Sequence, residues 1–296
     1  MSMEYQTWQW REFKIGYQTY GDIGYPVVFV HGFGANCGHW RKNLPVLGEK
    51  YRCYALDLIG FGNSDKPQPK KKIDYTFETW GKQVANFINE IIGSPAFLVG
   101  NSIGCVVIMQ TAVDYPDLVL GIASLNCSLR LLHERKRKTL PWYRNLGAGV
   151  MQKVLTNPAI GNFFYQQIAE PKVIKNILLQ AYQRKDAVTD ELIDLIYQPS
   201  QTEGAVEVFL AFTAYSYGSL PEDLLPQISC PTILLWGEKD PWEPIAMGRE
   251  LANYACVKEF ISLPDLGHCP QDEAPEIVNP ILQKWIDSEV ELRTQN

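Results

Sequence analysis

Ala96-Phe-Leu-Val-Gly-Asn-Ser-Ile-Gly-Cys105 decides how the rest of the chain is read. It sets Gly100-x-Ser102-x-Gly104 between an apolar, strand-like run and a long apolar run ending near Tyr115-Pro116. That is the context of a nucleophile elbow: a strand stops, the chain turns sharply at a serine, and a helix opens at Ile103. Such a turn holds the serine in strained backbone angles and lifts its hydroxyl above a sheet. Glycines at 100 and 104 lack a Cβ, so strand and helix approach closely. Gly and Ser are common, and a plain turn without chemistry is the alternative. The flanking strand and helix are what give the pattern weight.

Working outward, Val27-Val-Phe-Val30 is a short unbroken apolar run, the mark of a strand buried on both faces. It leads into His31-Gly-Phe-Gly-Ala-Asn36. Tyr51 to Leu56 reads as a second strand, ending in the Gly-rich turn Asp57-Leu-Ile-Gly-Phe-Gly-Asn-Ser-Asp65. Trp8 to Tyr20 alternates as an antiparallel pair does. A helix-like segment covers Trp40 to Leu47, and the lysine-rich stretch 66–72 is an exposed loop. Phe77, Trp80, Val84, Phe87, Ile88 and Ile91 recur at helical spacing, with Thr76 as N-cap and Gly93 as stop. Val119–Leu125, Thr232–Trp236 and Val257–Leu263 are further strands, and Glu276 to Val290 is a terminal helix. Strands alternating with helices predict an α/β fold, a mostly parallel central sheet with helices on both faces.

The rhythm changes near Ser128. From Arg130 to Tyr217 no strand-like run is bounded by turns, and the pattern is helical and rich in large apolar residues. The predicted organisation is a core in two parts, residues 1–128 and 221–296, with an all-helical cap inserted over 129–220. Cap aromatics Trp142, Phe163 and Phe164 are candidates to meet a substrate.

Charged residues are 20% of the 296, hydrophobic ones 46%, and the net charge is -6. An acidic chain of this make-up is not built around nucleic acid. Seven cysteines without regular spacing predict reduced, buried thiols, not a disulfide framework or metal site. The N-terminal residues show no secretory pattern and no run is long enough to span a bilayer, so the expectation is a cytoplasmic protein.

A serine hydroxyl needs a base within hydrogen-bond reach and a group to orient that base. There are four histidines. His31 follows a strand among glycines and is placed to shape a loop; His39 precedes Trp40 in a helix-like segment. His133 lies in a charged run that suggests solvation. His268, in Leu263-Pro-Asp-Leu-Gly-His-Cys-Pro270, follows the last strand and is the expected base. The acid belongs between Ser102 and His268 in this triad order. The Val119–Leu125 strand ends in Asn126, which carries no charge. The Thr232–Trp236 strand ends in Gly237-Glu-Lys-Asp-Pro241, making Asp240 the candidate, with Glu238 and Glu243 as alternatives. Backbone N–H groups of Phe33 and Ile103 are candidates for the oxyanion hole. Asp57 and Asp65 read as turn formers. No metal-ligand spacing and no dinucleotide fingerprint is seen, so neither metal nor cofactor is expected.

With these pieces placed, the chain resembles the α/β-hydrolase superfamily over nearly its full length. The carrying segments are His31-Gly-Phe-Gly, Asp57-Leu-Ile-Gly-Phe-Gly-Asn-Ser, Gly100-Asn-Ser-Ile-Gly, Trp236-Gly-Glu-Lys-Asp and Gly267-His268. The layout is similar to the capped branch with epoxide hydrolases and haloalkane dehalogenases. Those use an aspartate nucleophile; Ser102 at this position implies acyl transfer to water instead. Tyr115-Pro-Asp-Leu-Val, Leu220-Pro-Glu-Asp-Leu-Leu-Pro226 and Trp236-Gly-Glu-Lys-Asp-Pro-Trp-Glu-Pro244 resemble the pheophytinase and chlorophyll dephytylase group, which cleaves the phytyl ester of tetrapyrroles. That resemblance implies a small-molecule apolar ester as substrate. It also gives Arg130, Arg135, Lys136, Arg137 and Lys138 two readings, a solvated surface run or a peripheral contact with a photosynthetic membrane. A carboxylesterase or carbon–carbon bond hydrolase would use the same triad, and a ligand receptor on this fold would turn over little.

Overall fold

The computed structural model describes residues 3–137 and 158–295. Eight strands form one sheet in the order β1-β2-β4-β3-β5-β6-β7-β8. They are β1 Glu4–Trp10, β2 Phe13–Tyr20, β3 Pro26–Val30, β4 Arg52–Leu56, β5 Ala96–Asn101, β6 Val119–Leu125, β7 Thr232–Gly237 and β8 Val257–Leu263. Only the pairings made by β2, with β1 and with β4, are antiparallel; β4 to β8 run parallel. All five residues of β3 are buried, as an unbroken apolar run demands of a strand covered on both sides. Val28 and Val30 join one core layer with Leu98, Trp80 and Trp236. Val27 and Phe29 join the other, with Phe97, Trp40 and Trp285. The two layers are the helix-covered faces of an α/β sheet.

Thr76 caps the Phe77–Phe87 helix by accepting from Thr79 N–H. The helix widens over Ile88–Ile92 and stops at Gly93, which takes a left-handed φ of 71°. The segment expected as one helix over 40–47 is two short pieces, Cys37–Trp40 and Leu44–Leu47. Pro45 explains the break: it has no N–H to continue a helix but suits the start of one. After β6 the described chain is helical through Glu134–Arg137, Pro158–Ile168, Pro171–Ala181, Asp190–Ser200 and Ala205–Ala214 before it returns to β7. All seven cysteines are buried and free.

Candidate active site

Ser102 stands between β5 and the Ile103–Asp114 helix with φ 56° and ψ -121°. Angles of this kind cost an L-residue on the order of 1–3 kcal/mol and persist only where the surroundings impose them. Here Ser102 N–H donates to Leu125 O, and Ser102 O accepts from the N–H groups of Cys105 and Ser128, each at 3.1 Å. A Cβ on Gly104 would sit 2.3 Å from Val30 O, so glycine is required for the helix to reach the sheet.

The loop after β8 brings His268 to the same cavity. His268 Nδ1 lies 2.7 Å from Asp240 Oδ2. The carboxylate makes Nδ1 the donor and leaves Nε2 as the acceptor. Asp240 Oδ2 also accepts from Asn126 Nδ2 at 2.7 Å, and Oδ1 accepts from the N–H groups of Trp242 and Glu243 at 2.9 and 3.1 Å. Burial pushes the Asp240 carboxyl up, but the bonds from His268 and Asn126 outweigh it and hold the group below its ordinary range. The Trp242 ring stands edge-on to the imidazole with centroids 4.9 Å apart. His268 is fixed through its backbone as well: its N–H donates to Ala181 O at 2.9 Å and its carbonyl accepts from Asn101 Nδ2 at 3.0 Å.

Neither alternative acid makes the hydrogen bond to His268 that Asp240 makes. Glu238 is exposed and bonded to Ser262 Oγ. Glu243 is buried at the cavity wall, where it accepts from Leu129 N–H at 3.0 Å, and burial raises its pKa to about 7. His31 shapes its loop: Nδ1 donates to Gly32 O at 2.8 Å and Nε2 accepts from Leu58 N–H at 3.1 Å. Asp57 does the same from the other side, accepting from Cys37 N–H at 2.6 Å and Asn63 N–H at 2.8 Å. Phe33, in the loop so held, stacks on Phe212 at 4.6 Å. Its N–H makes no hydrogen bond among the described residues. Ile103 is the first residue of its helix, so its N–H has no intrahelical acceptor.

Ser102, His268, Trp242 and Phe33 border one cavity of about 450 Å³. Most of the remaining wall is aliphatic or aromatic and comes from the cap helices, including Ile174, Leu178, Val208 and Phe209. Among the described residues no group of three or more His, Cys, Asp or Glu side chains is placed to hold a metal ion, and no helix is long and apolar enough to cross a membrane.

Three expectations need revision. Phe163 and Phe164 are 67% and 36% exposed and lie outside the cavity; Tyr165 and Ile168 of the same helix border it instead. Trp142 and Lys138 lie outside the described residues. Arg130 is buried, its guanidinium over Phe77 and Tyr215 at 4.7 and 4.8 Å and bonded to the carbonyls of Tyr215, Tyr217 and Ser219. Its charge is turned to these carbonyls and rings and not to the surface. Arg135 pairs with Asp223 at 2.6 Å and Lys136 with Glu222 at 2.9 Å. His133, taken as solvated, is buried with Nε2 3.0 Å from Gly218 O.

Asn126, Asn101 and Glu273 have site roles that the linear pattern did not suggest. Glu273 accepts from the N–H groups of Gln183, Arg184 and Gly267 at 2.9, 2.7 and 2.8 Å, tying the chain after the Pro171–Ala181 helix to the loop that carries His268. The signal for Asn126 is its place at the end of β6, beside the elbow.

A serine at a strained strand-to-helix turn, an imidazole bonded to a buried carboxylate and helices inserted into a mostly parallel sheet define a class. The chain belongs to the alpha/beta hydrolase fold family, which it matches over residues 25–275. Its relatives include the chloroplastic pheophytinase of Arabidopsis thaliana, 26% identical over 293 residues, covering 88% of this chain and 60% of that protein. The chain thus spans less than two thirds of that relative's length. An uncharacterized hydrolase of Bacillus subtilis, YugF, is 28% identical over 274 residues, covering 92% of this chain and 94% of that protein. The solved structure of the epoxide hydrolase CorEH superposes with a TM-score of 0.80 at 20% identity, covering 97% of this chain and 99% of the other, a likeness of fold.

Proposed function

We propose that the protein hydrolyses carboxylic esters bearing a large apolar group, the phytyl ester of chlorophyll or pheophytin foremost. The observation that carries this reading is the 2.7 Å contact of His268 Nδ1 with Asp240, in a cavity that Ser102 also borders. Ser102 Oγ attacks the ester carbonyl while His268 Nε2 takes its proton. Asp240 keeps the imidazole in the tautomer that has a free Nε2 and stabilises the imidazolium as it forms. The N–H groups of Phe33 and Ile103 donate to the developing oxyanion. His268 then protonates the departing alcohol, leaving an acyl ester on Ser102. Water, deprotonated by His268, attacks that ester; the acid leaves and the serine recovers its proton.

The aliphatic wall supports a long hydrocarbon on the substrate. The relationship to a pheophytinase supports the phytyl group, and a serine at the elbow favours an acyl intermediate over epoxide opening by a carboxylate. The test is incubation of the protein with chlorophyll a and pheophytin a in detergent, with phytol read by chromatography, beside Ser102→Ala. Phytol release lost in the variant is expected. Cleavage of a 4-nitrophenyl ester that depends on Ser102, without phytol release, would keep the hydrolase and reject the pigment.

A further inference from the structure

The Trp242 side chain borders the cavity beside His268 and takes part in none of these steps. Of the described tryptophans it alone is exposed, at 40%. Its place gives that exposure a meaning. Among the described residues that border the cavity, only Gly34 and Trp242 are exposed, and a Cβ on Gly34 would meet no atom within 4 Å. The cavity that Ser102 and His268 share therefore opens to solvent at these two residues. Trp242 is also held still. Its N–H donates to Asp240 Oδ1 at 2.9 Å, and the next residue, Glu243, donates to the same oxygen and accepts from Trp236 Nε1 at 2.9 Å. The ring rests against one other ring, the His268 imidazole, at 4.9 Å between centroids. A large side chain fixed in this way offers contact area with little ordering left to do when a ligand arrives.

Inside, the cavity holds about 450 Å³ between mostly apolar cap residues, toward the small end of sites that enclose a ligand whole. A flexible hydrocarbon fits such a recess, whereas a rigid ring system joined to it stays at the entrance. We propose that Trp242 is the specificity-determining platform at that entrance, on which a flat, conjugated acid portion of the ester stacks while the hydrocarbon alcohol fills the recess. This rests on the phytyl-ester reading above. Contact between π-systems adds to what area burial alone gives, so a flat acid gains over a saturated one of the same skeleton. Covering His268 from water, the other service the ring performs, favours every ester alike.

The test compares the phytyl esters of naphthylpropanoic acid and of its fully saturated analogue, with phytol read by chromatography. Two methylenes separate ring from carbonyl in both, so their intrinsic reactivity is matched and the ratio of kcat/KM reads recognition. Wild type should favour the naphthyl ester about three- to tenfold. Trp242→Leu should bring the ratio to about one, and Trp242→Phe, which keeps an aromatic face, should retain most of it. Lost shielding of His268, or a smaller folded fraction, slows both esters equally and leaves the ratio alone. A wild-type ratio of about one, or a ratio unmoved in Trp242→Leu, would overturn the proposal and leave the hydrolase standing. Wild-type protein that cleaves neither ester but cleaves 4-nitrophenyl butyrate rejects the phytyl reading, and the proposal with it.

Discussion

His268 N–H donates to the carbonyl of Ala181 at 2.9 Å, so the loop carrying His268 is bonded directly to the end of the Pro171–Ala181 helix. Gly267 permits this approach: a Cβ there would sit 2.1 Å from Ala181 O, backbone against side chain. Glu273 secures the same joint from below.

Gly267→Ala should therefore separate the cap from the base loop. The expected loss is about 1–3 kcal/mol of stability, typical of a forced overlap in a packed site. Ester hydrolysis should fall further than stability alone explains, since His268 moves with its loop. Thermal unfolding and kcat/KM measured on one preparation check this; a variant equal to wild type in both would mean the contact is not made.

Asp240→Asn keeps the shape of the acid but presents an amide that no longer dictates the tautomer. By the logic of such triads kcat should fall by about 10⁴-fold, with Ser102→Ala at least as low. Steady-state hydrolysis of 4-nitrophenyl butyrate reads both. Asp240→Asn retaining near-wild-type rates would point to Glu243 as the orienting acid.

Glu243 makes stability depend on pH in a definite direction. Its pKa rises from 4.5 in the unfolded chain to about 7 in the fold, through burial. Below pH 4.5 both states hold the proton and nothing is lost. Between 4.5 and 7 the unfolded chain releases it while the fold retains it, so stability declines as pH rises, by at most about 3 kcal/mol. Glu243→Gln lacks this titration and still accepts from Leu129 N–H. Denaturant unfolding should show the variant gaining on wild type from pH 5 to pH 8; a constant difference would contradict the assignment.

Arg130→Met retains the stem over Phe77 and Tyr215 but strips three carbonyls of their donor. The Tyr215 carbonyl is the buried one, and an acceptor left in this way costs about 1–3 kcal/mol. Amide hydrogen exchange over residues 215–219 should accelerate, with little change in the strands. Exchange unchanged there would deny the clamp.

Much of this was legible in the order of residues. The β3 and β5 runs, the elbow and the chain order Ser102, Asp240, His268 depend on local pattern and on one topological rule; in the structure Ser102 and His268 border one cavity, and Asp240 lies against the His268 ring. What escaped depends on phase and long-range pairing. The Pro158–Ile168 helix carries apolar residues around much of its circumference, so nothing local says that Tyr165 faces inward and Phe163 outward. Arg130 looks like one charge in a basic run. Its burial depends on carbonyls more than eighty residues away, in a turn whose geometry no local pattern encodes. Pro45 was the one available warning that the 40–47 helix would break.

The Arg130 clamp also bears on how this fold diversifies. Glu134 N–H donates to Ser216 O at 2.8 Å, beside the three carbonyls held by Arg130. The chain thus leaves the sheet and comes back to it at a single bonded point. From the side of β6 and β7 the whole insertion is equivalent to a short closed tether, and closing entropy grows only slowly with the length beyond it. Such a junction lets the insertion vary in length with little strain on the register of β6 and β7.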